Sequence, residues 1–209
     1  MFSRPLLTAA ALLAGATALT AQLPGSADPA RIAAGTYKAD PLHTLVGWRV
    51  NHLGFNDYFG LFGSIKGSLV IDPANLAAAR VAVRIPIRKV TTASEGLTGH
   101  MLRNSSQGGK PEFFGKAPAD ALFVSTAVKP GTDGKSAQIE GKLTMNGVTR
   151  PVIIAATFTG AGKNPLSGKQ TVGFHGMTTI KRSEWGILGA LPVIGDSVEL
   201  TITAAFEKT

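Results

Sequence analysis

Residues 46–54 read VGWRVNHLG, inside a longer stretch, YKADPLHTLVGWRVNHLGFNDYFGLFG, that occupies 37–63. Val46, Trp48, Val50 and His52 alternate with Gly47, Arg49 and Asn51, the period of a β-strand with one face buried. A glycine-bearing aromatic turn is expected next (Leu53, Gly54, Phe55, Tyr58, Phe59, Gly60), with a further strand from Leu61. Solvent loops are ordinarily polar, so large apolar side chains in this turn imply that it covers something apolar.

The same alternation recurs on either side. A short strand is expected at 36–38, then strands at 44–52 and 61–72, with a turn at Asp72-Pro73-Ala74-Asn75. RVAVRIPI at 80–87 alternates strictly, with Val81, Val83, Ile85 and Ile87 on one face. Pro86 has no N–H for a ladder and belongs at an edge or a strand end. Residues 92–103 carry the helical signal: Leu97 and Met101 share a stripe, and Thr92 or Ser94 can cap it. Phe113 and Phe114 then fall in a non-repetitive region, as a plug for one end of the core, a ligand contact, or both. The remainder is a meander with strands at 121–129, 136–145, 148–159, 170–180 and 197–206, and Asn146-Gly147 is a strong hairpin signal. The expected fold is all-β: a single antiparallel barrel of about eight longer strands, one helix and a short closing segment at 182–194. Closure removes exposed strand edges, and a barrel of eight strands is either filled by its own side chains or holds one small ligand.

Composition agrees. Of 209 residues, 44% are hydrophobic and 16% charged, which excludes disorder and fits one domain with a real core. Residues 1–21 read as a signal peptide, with Arg4 ahead of an apolar run at 6–19 and cleavage after Ala18 or Ala21. Residues 22–35 read as a loose leader and 36–209 as the barrel domain. The expected location is therefore the periplasm or outside the cell. The chain has no cysteine, which excludes disulfides, thiolate catalysis and cysteine-ligated metals. A formal charge of +8 comes from scattered lysines and arginines rather than a cluster with stacking aromatics. That pattern argues against nucleic acid and leaves transient contact with anionic lipid headgroups open.

Chemistry is sparse. The histidines are His43, His52, His100 and His175, with no HxH or HExxH spacing, and no carboxylates gather at ligand spacing, so no metal site is expected. No nucleophile elbow stands out, and no catalytic residues are assigned. His52 points inward by parity and is either a satisfied structural histidine or a polar anchor for a ligand headgroup. Arg182, in RSEWG, is read as pairing with a carboxylate and pinning the closing segment. Trp185 is core or pocket wall.

The order of several segments resembles the YceI family, described as lipocalin-like polyisoprenoid-binding proteins. DPLHT and VGWRVNHLG are followed by GLFGSIKGSLVIDP, VAVRIPIRKVTT and the FF pair at 113–114. LFVSTAV, EGKLTMNGVTRPV, IKRSEWGI and IGDSVELTITAAFEK complete the series. RNSSQGGK at 103–110 departs from it, being longer and more polar than the family pattern before FF. The resemblance implies a lipocalin-like barrel with an elongated apolar cavity that holds an isoprenoid quinone, a polyisoprenoid or a fatty amide, with no other cofactor. Parity and family outline together make Val46, Trp48, Val50, Phe62, Ile65 and Leu69 candidate walls. Phe55, Phe59, Leu97, Leu102, Phe113 and Phe114 become candidate lid, and His52, Leu53 and Trp185 are counted with them as ligand-binding. The expected function is a non-enzymatic periplasmic carrier, acting alone or as a homodimer. The alternatives are an enzyme using His52 or His43 on such a ligand, and a structural or stress protein whose barrel is packed solid.

Overall fold

The computed structural model describes residues 23–106 and 108–209. The segment read as a signal peptide lies outside them. The early strands are β1 (Gly35–Ala39), β2 (Leu45–His52), β3 (Asn56–Phe62), β4 (Lys66–Ile71), β5 (Arg80–Ile85) and β6 (Val90–Thr92). Helix α1 (Glu95–Met101) follows, then the long strands β7 (Ala121–Pro130), β8 (Ser136–Met145), β9 (Val148–Lys163), β10 (Gln170–Lys181) and β11 (Ile194–Lys208).

Eight strands close a ring in the order β1-β4-β5-β7-β8-β9-β10-β11, with β11 pairing back onto β1. All neighbours are antiparallel, as expected. β11 is long enough to hold two partners on one edge. Its last residues pair with β1 (Ala39 opposite Phe206), and its first two-thirds pair with β2 (Trp48 opposite Leu200). Thr44 fills the break between β1 and β2: its buried hydroxyl donates to the Ala205 carbonyl (3.0 Å) and accepts from the Ala205 N–H (3.2 Å). The ladder is thus continued by a side chain where the backbone turns away. Beyond β2, strands β3 and β6 continue the wall at one end of the barrel, and α1 with the Phe113-Phe114 segment lies across that end.

Several boundaries differ from the expected ones. The aromatic turn after His52 is a tight one at Leu53-Gly54, and three of the six residues assigned to it, Tyr58, Phe59 and Gly60, belong to β3. The expected strand at 61–72 is broken at 63–65, where Ser64 takes a positive φ of 57°. The helix is shorter than 92–103, and Ser94 rather than Thr92 caps it by accepting from Leu97 N–H (3.2 Å). The leader at 23–34 is docked rather than loose. Ser26 exchanges two backbone hydrogen bonds with Ala161 (3.1 and 2.9 Å), and Ile32 is buried. The Asn146-Gly147 hairpin forms as its sequence implies, with φ of 49° and 75°.

Inward-facing side chains form two apolar clusters. One lies at the lid end around Trp185, Ile65 and Ile87, and the other at the opposite end around Tyr37, Val172 and Phe206. At the lid end Trp185 is fully buried and its Nε1 donates to the Leu143 carbonyl (3.2 Å). That fixes its role as core.

Candidate functional site

The two clusters do not meet as solid packing. Between them runs a cavity of about 590 Å³ whose walls are drawn from both, so it extends along the barrel rather than sitting at one rim. That volume lies inside the range of small-molecule sites, roughly 300–1,000 Å³. Inward residues of β2, β5, β9 and β11 make its sides: Val46 and Val50, Val81 and Val83, Val152 and Ile154, Val198 and Leu200. Phe158, Phe174 and Phe206 close the far end with edge-on ring contacts of 5.9 and 6.4 Å. The barrel is therefore hollow, and the reading in which its own side chains fill it does not describe this structure.

Val46, Trp48, Val50, His52, Phe62, Ile65, Leu69, Leu97, Phe113 and Phe114 all line this cavity, so most of the residues singled out from sequence come together. Five do not. Leu53 and Phe55 sit in the turn after β2 with their side chains outside, Phe55 being 87% exposed. Phe59 falls on the outer face of β3, opposite Arg49, and is 62% exposed. The reason is register: with β3 starting at Asn56, Tyr58, Gly60 and Phe62 share the inner face. Leu102 packs against the lid-end cluster, and Trp185 is sealed in it; neither reaches the cavity. His43 is also away from the cavity, exposed and bonded to Asp40 (2.6 Å). Sequence reading missed the far half of the lining, although the parity of VTRPVIIAATFT already carried Ile154, Ala156 and Phe158 on one face.

Polar side chains line the cavity at both ends: His52, Tyr58 and His100 near the lid, and Thr44, Arg80, Lys135 and Ser136 toward the opposite end. His52 faces Tyr58 (6.4 Å between rings), and Tyr58 stacks on Trp48 (6.3 Å). His100 on α1 bonds to Glu112 (2.7 Å) and sits edge-on to Phe113 (5.4 Å), tying the helix to the aromatic pair. The Phe114 N–H donates to the Met101 carbonyl (3.0 Å), a second tie. Arg182 is buried, and its expected carboxylate partner is replaced by backbone. Nε donates to the Gly195 carbonyl (2.8 Å), Nη1 to Ile187 (3.1 Å) and Nη2 to Ile194 (3.0 Å). Burial pulls its pKa below the ordinary guanidinium value, and the Asp196 charge acts in the opposite direction. Asp196 instead accepts from Ser183 N–H and Oγ, both at 2.8 Å. Among the described residues no group of three His, Asp or Glu side chains could hold a metal ion.

Trp48 shapes the wall through the residue opposite. Its ring lies over Gly60, where an added Cβ would fall 2.2 Å from Cζ2 and 2.4 Å from Cε2. Its Nε1 is buried with no hydrogen-bond partner among the described residues, so displacing the ring breaks no hydrogen bond there. Gly60→Ala is accordingly expected to cost only the overpacking, about 1–3 kcal/mol. Urea unfolding should show this as a lower midpoint with an unchanged slope. An unchanged midpoint would mean that the Trp48 ring moves freely.

Comparison with known proteins agrees with this architecture. Residues 37–206 match the YceI-like domain. A UPF0312 protein of Pseudomonas fluorescens strain SBW25 is 36% identical over 199 residues, covering 94% of each chain. Among solved structures, BcnA of Burkholderia cenocepacia superposes with a TM-score of 0.63 at 20% identity, over 78% of this chain and 95% of that one. A polyisoprenoid binding domain from Saccharophagus degradans, implicated in plant cell wall breakdown, gives a TM-score of 0.55 at 12% identity, over 83% and 98%. At these identities the two structures speak to the fold alone. Domain match, full-length relative and hollow barrel converge, and the chain belongs to the YceI family.

Proposed function

We propose that this protein binds a long apolar molecule along the barrel axis and carries it, without chemical change, in the periplasm or outside the cell. The observation that supports this most directly is the apolar hollow of about 590 Å³ running between the two core clusters. Each methylene moved from water into apolar surroundings gains about 0.8 kcal/mol, so a chain of ten is held in a membrane by roughly 8 kcal/mol. Only an enclosed apolar site can compete with that. His52, Tyr58 and His100 at the lid end suit a ligand whose tail runs inward and whose polar end stays near the lid. The candidate ligands are an isoprenoid quinone, a polyisoprenoid or a fatty amide. The polyisoprenoid binding domain with the same fold supports that choice by analogy.

The deciding experiment is mass spectrometry of an organic extract of the purified protein. It is expected to contain one of those three classes in amounts comparable to the protein, and a quinone analogue added to the extracted protein should raise its melting temperature. An empty extract together with an unmoved melting temperature would remove the carrier reading.

A further inference from the structure

We propose that the lid end of the barrel is a docking surface for an anionic phospholipid bilayer, with Leu53, Phe55, Leu188 and Val193 as the side chains that enter it. The inference rests on the carrier reading for its purpose, though not for its geometry. All four side chains are exposed. They lie on two loops that touch: the Leu53 N–H donates to the Val193 carbonyl (3.2 Å), and His52 pairs with Ile194 just below. His52 and Ile194, at the strand ends these loops leave, and Ala190 within the second loop line the cavity. The exposed apolar rim and the inner apolar wall are therefore continuous through a few residues of chain.

Two further observations favour a bilayer. Leu53 adopts a φ of 58°, in the left-handed region. A turn of that kind ordinarily takes Asn, Asp or Gly, and this leucine is 47% exposed, so burial does little to repay the strain. Strain held at an exposed position points to use of the side chain there. Charge is the second. The lid segment 86–120 carries Arg88, Lys89, Arg103, Lys110 and Lys116, all exposed, against Glu95, Glu112 and Asp120. Glu112 is bonded to His100 and Asp120 to Arg84, so the balance over this segment is positive. Of the carboxylates nearer the two loops, Asp57 and Glu199 are paired with Arg49 and Asp196 accepts from Ser183, while Glu184 adds one negative charge. The lid segment meets the loop that carries Leu188, where the Gly189 N–H donates to the Glu112 carbonyl (2.9 Å). Exposed apolar side chains beside a segment of net positive charge are the arrangement that binds an anionic membrane interface.

The test is vesicle flotation of the protein as recovered from its producing cell. Vesicles of equimolar phosphatidylglycerol and phosphatidylcholine are compared with phosphatidylcholine alone. The protein should float with the anionic vesicles and much less with the neutral ones. Phe55→Ser with Leu188→Ser should reduce flotation on the order of tenfold. Leu166→Ser removes a leucine that is 92% exposed in the turn between β9 and β10, at the opposite end, and should leave flotation unchanged. Equal flotation of all three proteins, as an apolar N-terminal segment alone would give, overturns the proposal, as does absence of flotation. Binding of a short-tailed quinone analogue in vesicle-free buffer is measured on the same proteins. If that binding stands while flotation fails, docking alone is wrong; if flotation stands and analogue binding is absent from every protein, the carrier reading is the one that falls.

Discussion

Arg182→Met is expected to lower the unfolding free energy by about 3–5 kcal/mol, the cost of leaving three carbonyls without their charged donor less the relief of a buried cation. The guanidinium spans the carbonyls of Ile187, Ile194 and Gly195, and methionine of similar length replaces none of those donors. Each buried carbonyl left bare costs about 1–3 kcal/mol, partly offset because a desolvated cation is no longer held inside. Against a typical total of about 5–15 kcal/mol, the loss is severe. It should also spread along a defined path. The closing segment held by Arg182 supplies the Gly189 N–H that donates to the Glu112 carbonyl (2.9 Å), and Phe113 lies against Gly189. Arg182 itself sits 5.9 Å from the Phe113 ring centre. Amide exchange should therefore rise across 111–114 and 187–195 before it rises in β7 to β10. Arg182→Lys is expected to recover only part of the loss, since one ammonium cannot span three diverging carbonyls as the planar fork does. Urea unfolding of both variants checks the magnitude. A loss under about 1 kcal/mol for methionine would show that water takes over the carbonyls.

The parts of this molecule that could be read from sequence are those where one face is apolar and the other is not. β2 and β5 alternate cleanly, and Val46, Trp48, Val50, Val81, Val83 and Ile85 all reach the cavity. β3 hides itself because its outer face carries Phe59 and Leu61 beside an inner face of Tyr58, Gly60 and Phe62. With apolar residues on both faces the period of two disappears, and the segment looks like an aromatic loop. Arg182 was misread for a different reason. Local sequence offers carboxylates at Glu184 and Asp196, and nothing in composition reveals that backbone carbonyls converge on the same point once the segment folds back. The docked leader likewise depends on a non-local pairing, Ser26 with Ala161, which no local pattern announces.

Filling the middle of the hollow is expected to abolish tight binding of long-tailed ligands while leaving the barrel folded. Val83 on β5 and Ile154 on β9 both face the cavity and are only half-buried by protein. Val83→Phe with Ile154→Phe adds ring volume where there are no atoms to displace. The usual penalty for enlarging a packed core should therefore be small, and apolar contact is gained. A tail that can no longer pass this point forfeits the methylenes beyond it. Excluding about five of them removes about 4 kcal/mol, close to a thousandfold in affinity. The diagnostic reading is a titration with quinone analogues of increasing tail length. In the unmodified protein, affinity should climb with each added methylene until the far phenylalanines are reached. In the double variant the climb should stop early, with short-tailed analogues bound as before. Stability measured alongside separates a blocked cavity from a damaged barrel. If affinity rose with tail length to the same extent in both proteins, the tail would have to lie elsewhere, and the hollow between β5 and β9 would not be where this protein holds its ligand.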